Sequence, residues 1–60
     1  MQILIKQTDK EETAILNGVT VITDDQQGEC YFFNGINEDG EHFSFLFPYA
    51  TIEYFRKVGK

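Results

Sequence analysis

The chain has 60 residues, with ten acidic and five basic side chains, a formal net charge of −5 and 42% hydrophobic residues. That length predicts one domain over residues 1–60 that buries only about 60% of the surface exposed by the unfolded chain. The single cysteine excludes an internal disulfide, and there is no Cys/His cluster to bind zinc. No apolar run approaches the roughly 18 residues of a membrane span. The first residues also lack the basic and apolar regions of a signal peptide. One unpaired cysteine fits the cytoplasm, so we expect a small soluble cytoplasmic protein.

The charges are unevenly distributed along the chain. All basic residues lie near the termini, and there is no Lys or Arg between Glu11 and Phe55. Because nucleic-acid affinity comes largely from Lys and Arg displacing condensed counterions, this pattern disfavours nucleic acid as a ligand. Two interpretations of the acids remain open. They are a solubility device in loops, or they attract a basic partner at a site that otherwise receives DNA or RNA.

The chain is rich in segments of Ile, Val, Phe, Tyr and Thr separated by turn-forming residues, which predicts an all-β protein. The predicted strands are residues 2–6, 13–23, 29–36, 41–47 and 51–58, with polar turns at 8–12, 24–28 and 37–40. Within the second segment, Asn17-Gly18 has two interpretations. It is either a two-residue hairpin turn, which gives six strands, or a bend in one long strand, which gives five. We favour the bend, because TAIL alone is a short strand.

The segment after Pro48 also has two interpretations. A proline at a first helical position followed by Tyr49, Ile52 and Phe55 would be a helix with an apolar stripe, and the fold would then be α+β with a short C-terminal helix. The β-branched and aromatic residues of the segment, and the lack of a capping residue before Pro48, favour a strand instead.

The stretch FLF-PYAT-IEYF resembles the end of SH3-like and Sm-like small barrels. In those families the turn before the closing strand is commonly a short 3₁₀ piece, and Pro48 to Thr51 would take that role. The resemblance implies a small antiparallel SH3-like barrel of five to six strands. The acidic-aromatic ligand motif of SH3 domains and the glycine-and-asparagine signatures of Sm proteins are absent here. No binding residue is therefore carried over.

The predicted hairpin around NEDG (37–40) assigns side chains to two faces. A four-residue loop pairs Ile36 with Glu41 and Phe32 with Phe45, and directly paired residues share a face. The face predicted as core carries Cys30, Phe32, Phe43, Phe45 and Phe47, completed by Ile3, Ile5, Val19, Val21, Ile52 and Tyr54. The opposite face carries Tyr31, Phe33, His42, Ser44 and Leu46, with Leu4, Ile22 and Phe55 as neighbours. Scattered exposed aromatics are ordinary, but a contiguous group of this kind marks an interface.

Neither catalysis nor metal binding has support in the sequence. Cys30 and His42 are the only candidates for a nucleophile–base pair, and the predicted hairpin puts them on opposite faces and about five rungs apart. Asp24, Asp25 and Glu29 are interpreted as a solvated turn rather than an ion site. We therefore predict a protein that is not an enzyme, with no cofactor and no metal, in which Cys30 is a small buried apolar group.

The predicted function is that of a small acidic protein-interaction module. It would bind a basic, nucleic-acid-binding partner protein as an inhibitor or regulator, since stand-alone acidic chains of this size are typical of phage and mobile-element regulators by analogy. The alternative is a small SH3-like or Sm-like barrel that binds nucleic acid or a peptide. The predicted protein-binding residues are Tyr31, Phe33, Leu46, Phe55, Asp24, Asp25, Glu29, Glu38, Asp39 and Glu41. A homodimer is also predicted, through the face of Tyr31, Phe33 and Leu46 or through edge-strand pairing.

Overall fold

The fold consists of six strands and one 3₁₀ turn in a computed structural model that describes residues 1–59. The elements are β1 (Gln2–Gln7), β2 (Thr13–Leu16), β3 (Val19–Asp25), β4 (Cys30–Ile36), β5 (His42–Pro48), the 3₁₀ turn (Tyr49–Thr51) and β6 (Ile52–Val58). They form two antiparallel three-stranded sheets with the strand orders β2-β1-β6 and β3-β4-β5. The predicted all-β class is confirmed. Across residues 1–59, no helix is long and apolar enough to cross a membrane.

The hydrophobic core lies between the two sheets. Ile3 and Ile5 of β1 and Val19 and Phe33 of the other sheet are almost fully buried. The ring of Phe55, on β6, packs edge-on against Phe33 with 5.2 Å between the ring centroids. Since each sheet contributes residues to one continuous cluster, burial of this face holds the two sheets together.

Gly18 is the point at which the chain passes from one sheet to the other. β2 pairs with β1, and β3 pairs with β4, so the two segments on either side of Asn17-Gly18 do not pair with each other. The hairpin interpretation is therefore wrong, and the residues form a bend. The bend nevertheless divides the predicted strand 13–23 into β2 and β3, so the fold has six strands and not the five that the bend interpretation gave. Gly18 has a φ of 80°, a conformation that glycine adopts without a steric penalty. Its carbonyl oxygen accepts a hydrogen bond from the backbone N–H of Ile36 at 3.0 Å, which fixes the bend against the end of β4.

The segment after Pro48 is a strand, and the helical interpretation is wrong. Its helix-like spacing has a different cause. Gln7 lies opposite Ile52 and Lys6 lies opposite Tyr54, so the β1–β6 register shifts by one residue at this point. This bulge turns both Ile52 and Phe55 toward the core, where they pack against the buried cluster. A residue spacing of three thus arises inside a strand.

The β4–β5 hairpin differs from its predicted register by one residue. Ile36 pairs with His42 and Phe33 pairs with Phe45, which makes the loop five residues long instead of four. The side chain of Asn37 favours this longer loop because its Oδ1 accepts hydrogen bonds from the backbone N–H groups of Asp39 at 3.0 Å and of Glu41 at 2.9 Å. A slip of one residue moves every side chain of one strand to the other face.

The predicted face assignment is therefore wrong for β4. Phe33 is fully buried and Tyr31 packs against the core, whereas Phe32 is only half-buried. A second bulge, in β3, places Ile22 opposite Phe33, so Ile22 packs on the core. Three residues predicted for the core are instead 45–52% exposed: Val21, Phe45 and Tyr54. The assignments that hold are the buried Ile3, Ile5, Val19 and Cys30 and the core-packed Phe43, Phe47 and Ile52.

Candidate functional site

The acidic residues concentrate at one end of the molecule, where the β1–β2 turn, the β3–β4 loop and the 3₁₀ turn meet. The backbone N–H of Thr8 donates to the carbonyl of Thr51 at 3.0 Å, and the N–H of Tyr49 donates to the carbonyl of Glu29 at 2.8 Å. Seven of the ten acids belong to this group, which we call the acidic end: Asp9, Glu11, Glu12, Asp24, Asp25, Glu29 and Glu53. The fold thus brings together acids that are far apart along the chain.

An open groove of about 490 Å³ lies at the acidic end, between the β3–β4 loop and the 3₁₀ turn. It is lined by Gly28, Glu29, Pro48, Tyr49 and Ala50. The groove therefore combines an aromatic ring, a proline and a carboxylate, and it is open to solvent.

An aromatic row connects this groove to the core. The ring of Tyr49 lies 4.9 Å from that of Tyr31, and Tyr31 lies 5.0 Å from Phe55, measured between ring centroids. Phe55 in turn contacts the buried ring of Phe33. Because these rings pack in series, Tyr49 has a rigid support on its core side.

A hydrogen bond from Tyr49 to Asp24 fixes the groove wall. The Tyr49 hydroxyl donates to Oδ1 of Asp24, and this bond, helped by partial burial of the phenol and by the nearby negative charges, raises the pKa of Tyr49 to about 12. Asp25 makes a local contact, since its Oδ1 accepts the backbone N–H of Gly28 at 3.1 Å. Both carboxylates therefore order the loop that forms one side of the groove.

Cys30 lies beneath this loop and is shielded from solvent. It is 4% exposed, and burial, together with the negative charges of Asp25 and Asp24, raises the pKa of its thiol. A raised pKa keeps the thiol protonated at neutral pH, and only the thiolate is a strong nucleophile. His42 lies at the opposite end of the β4–β5 ladder, where it pairs with Ile36, while Cys30 pairs with Pro48. Within residues 1–59, no three His, Cys, Asp or Glu side chains are grouped to hold a metal ion.

The structure separates the predicted binding residues into three groups. Asp24, Asp25 and Glu29 belong to the acidic end. The exposed residues Glu38, Asp39 and Glu41 lie in the loop at the other end of β4, about 20 Å away along a seven-residue strand. Leu46 is 54% exposed on β5, whereas Tyr31 and Phe55 are half-buried against the core. Phe33 is 0% exposed, so in this fold it has no surface to offer a partner.

Sequence reasoning missed the groove residues Gly28, Pro48, Tyr49 and Ala50. Their signal is the predicted 3₁₀ piece after Pro48, because a tight turn beside an acidic loop presents its aromatic side chain at the end of the sheet. Phe45, which is 45% exposed, was also missed as a surface residue. It lies on the predicted face, opposite Phe33, but on the outer strand of its sheet, where the core does not cover it fully.

No protein family, curated protein or solved structure matches this chain significantly. The function is therefore argued from the geometry and charge of the site.

Proposed function

We propose that the protein is a small acidic interaction module whose acidic end binds a basic surface of another protein. The observation that supports the proposal is the joint position of seven carboxylates and the groove of Tyr49. Within residues 1–59, Lys6 is the basic side chain in an ion pair there, with Glu53 at 3.2 Å. Asp24 and Asp25 already accept hydrogen bonds that order the loop. Asp9, Glu11, Glu12 and Glu29 are therefore the carboxylates proposed to attract Lys and Arg from a partner, and Tyr49 offers a flat apolar contact once they arrive.

The nature of the partner follows from the same charges. A surface that repels phosphate attracts the proteins that bind phosphate, so we propose a nucleic-acid-binding protein as the partner and inhibition or regulation as the outcome. Binding, and not catalysis, is the activity proposed. The cytoplasm stays the predicted location, since the single cysteine is a free thiol.

The fold proposed for this module is a small SH3-like barrel. Three features support it: the bend at Gly18 between the sheets, the 3₁₀ turn before β6, and the backbone contact between the sheets at Met1 and Val19. In that contact the Val19 N–H donates to the Met1 carbonyl at 3.1 Å. Backbone proton contacts measured by NMR between the two sheets beyond the Gly18 bend would support the barrel, and their absence would contradict it.

The test of the function uses two variants that each remove three charges. One replaces Glu11, Glu12 and Glu29 with Gln at the acidic end, and the other replaces Glu38, Asp39 and Glu41 with their amides at the far loop. Proteins captured from the host lysate are identified by mass spectrometry, and the Kd of each captured protein is then measured at low and high salt. We expect basic partners, an affinity that falls about tenfold or more with salt, and the larger loss for the acidic-end variant. An affinity independent of salt, or a loss confined to the far-loop variant, would contradict the proposal.

A second candidate function is nucleic-acid binding, and one observation favours it. Tyr54 and Arg56 are exposed and lie two residues apart on β6, so they project on the same side of the strand and Lys57 follows them. A base could stack on Tyr54 beside a cation. Titration with single-stranded RNA and DNA at physiological salt distinguishes the two functions, because micromolar binding there would favour this one.

The homodimer stays a prediction. Of its two predicted interfaces, the face of Tyr31, Phe33 and Leu46 is no longer supported. Phe33, which was to anchor the interface, lies in the core. The route that remains is edge-strand pairing.

A further inference from the structure

The outer edge of β5 carries backbone groups without a strand partner among the described residues. β5 is the last strand of its sheet and pairs with β4 alone. Along β5, the backbone N–H groups point alternately toward β4 and away from it. Two bonds at the ends of the β4–β5 ladder show which residues point inward: the Tyr49 N–H donates to the Glu29 carbonyl, and the Asn37 N–H donates to the Glu41 carbonyl. Residues 43, 45 and 47 therefore exchange their backbone bonds with β4, and the N–H groups of residues 42, 44 and 46 point away from the sheet.

The side chains of β5 leave this edge unprotected. Protein edges are usually shielded by Lys, by proline, by a bulge or by short length. β5 is seven residues long, carries no Asp, Glu, Lys or Arg, and has its only proline at the last position. Phe45 is 45% exposed and Leu46 is 54% exposed, so the strand offers apolar contacts on both of its faces.

Negative charges flank both ends of this apolar edge. Glu41 immediately precedes β5, and Glu38 and Asp39 lie in the same loop. At the other end, Glu29 bonds to the backbone of Tyr49, and Asp24 bonds to its hydroxyl. A second copy of the chain, with its own net charge of −5, would bring like charges to both ends. An added strand with basic residues at its ends meets attraction instead.

We propose that β5 accepts an extended segment of the partner as an added strand, with β-branched or apolar residues in its middle and Lys or Arg at both ends. The proposal rests on the proposed function, because it specifies how a basic partner binds. The main-chain bonds of the added strand supply affinity, and the end charges select the segment. β5 spans about 20 Å, so about five uncharged residues separate the basic ends.

The first test uses a synthetic peptide of alternating valine and threonine with two lysines at each end. Its control has the same charges but two prolines in the middle, which cannot extend a sheet. Amide hydrogen exchange is followed by NMR on the whole chain. With the first peptide we expect the Ser44 and Leu46 amides to exchange about tenfold or more slowly, and the amides of Phe43, Phe45 and Phe47, already bonded to β4, to change little.

The second test changes the edge itself. Leu46→Pro removes an outward N–H without removing a bond to β4, and proline is tolerated at sheet edges. Leu46→Thr is the matched control, because it shortens the same side chain and keeps the N–H. We expect the affinity for the peptide to fall about tenfold in the proline variant relative to the threonine variant, with the Phe45 amide still protected in both as the check of folding.

The outcomes separate this proposal from the proposed function. If both peptides bind equally and lose affinity with salt, the added strand is wrong and the acidic module stands. If neither peptide binds, or if Ser44 and Leu46 exchange as in the free chain, the added strand is also wrong. If these two amides are protected without peptide and light scattering gives the mass of two chains, the edge is a homodimer interface and the proposal is overturned.

Discussion

The hydroxyl of Tyr49 donates a hydrogen bond to Asp24, which joins the 3₁₀ turn to the end of β3 across the acidic end. This bond is the first cause of the raised pKa of Tyr49, at about 12 against 10.0 for an unperturbed tyrosine. The carboxylate accepts a hydrogen bond only from the protonated phenol, so the folded state holds this proton more tightly than the unfolded chain does.

The first prediction is a loss of stability at high pH. The contribution of the Tyr49 hydrogen bond to folding stability is fully present below pH 10. It is lost as the pH rises from 10 to about 12, because the Tyr49 hydroxyl ionises at a lower pH in the unfolded chain than in the folded one. Between pH 10 and 12, the free energy of unfolding measured with denaturant should fall more steeply for the wild type than for Tyr49→Phe. Asp24→Asn should lower the pKa of Tyr49, measured by ultraviolet absorbance. Parallel stability curves, or an unchanged titration in Asp24→Asn, would contradict the role of the bond.

The second prediction concerns the bend. Gly18 and Gly40 share a φ of 80°, but an added Cβ at Gly18 would collide with the backbone carbonyl oxygen of Ile36, while at Gly40 it would meet nothing within 4 Å. Gly40→Ala should cost only the conformational penalty of about 1–2 kcal/mol. Gly18→Ala should cost about 1–3 kcal/mol more, because the clash is with backbone that cannot move aside. The free energy of unfolding in denaturant measures both, and equal costs would show that the bend tolerates a side chain.

The third prediction tests the corrected register. Phe33 is 0% exposed and Phe45, directly opposite on β5, is 45% exposed. Phe33→Ala should therefore cost about 3–5 kcal/mol, which leaves little of the stability of so short a chain. Phe45→Ala should cost clearly less, about 1 kcal/mol.

Phe33→Leu gives a measurable comparison if the alanine variant does not fold, because it removes less volume from the same position. A chain that tolerates Phe33→Ala better than Phe45→Ala would restore the register with a four-residue loop and place Phe33 on the surface.

The sequence was sufficient for the strands and the all-β class because β-branched and aromatic residues alternate between clear turn formers. It was not sufficient for the faces. Two hydrogen bonds to the Asn37 side chain stabilise the β4–β5 loop at five residues. Loop composition alone does not distinguish a four-residue loop from a five-residue one. The bulges opposite Gln7 and near Val21 have the same effect, since each moves the following side chains to the other face.

The candidate site was predictable in its charge but not in its shape. The absence of Lys and Arg between residues 11 and 55 is visible in the sequence. The division of the acids into an acidic end and a far loop depends on which loops the sheets bring together, which is tertiary information. The position of Tyr49 also depends on tertiary structure, because its contact with Asp24 joins residues 25 positions apart.

The last prediction separates an ion pair from the hydrogen bonds that accompany it at the acidic end. Nζ of Lys6 lies 3.2 Å from Glu53, and it also donates to the backbone carbonyls of Gln7, at 2.7 Å, and of Lys10. The side chain of Lys6 is 18% exposed and that of Glu53 is 56% exposed, so water screens the pair from the glutamate side. Glu53→Gln should therefore cost less than about 1 kcal/mol, and less still at high salt.

Lys6→Met removes the same ion pair but also leaves two carbonyl groups of the β1–β2 turn without their charged donor. It should cost about 1–2 kcal/mol more than Glu53→Gln and should speed exchange of the Lys10 amide, which donates to the Gln7 carbonyl at 3.3 Å and closes the turn. Denaturant unfolding and amide exchange of the two variants provide the comparison. If both variants lose the same stability and the Lys10 amide is unaffected, the ion pair alone holds the turn. The acids at 9, 11 and 12 would then be positioned by charge and not by the backbone bonds of Lys6.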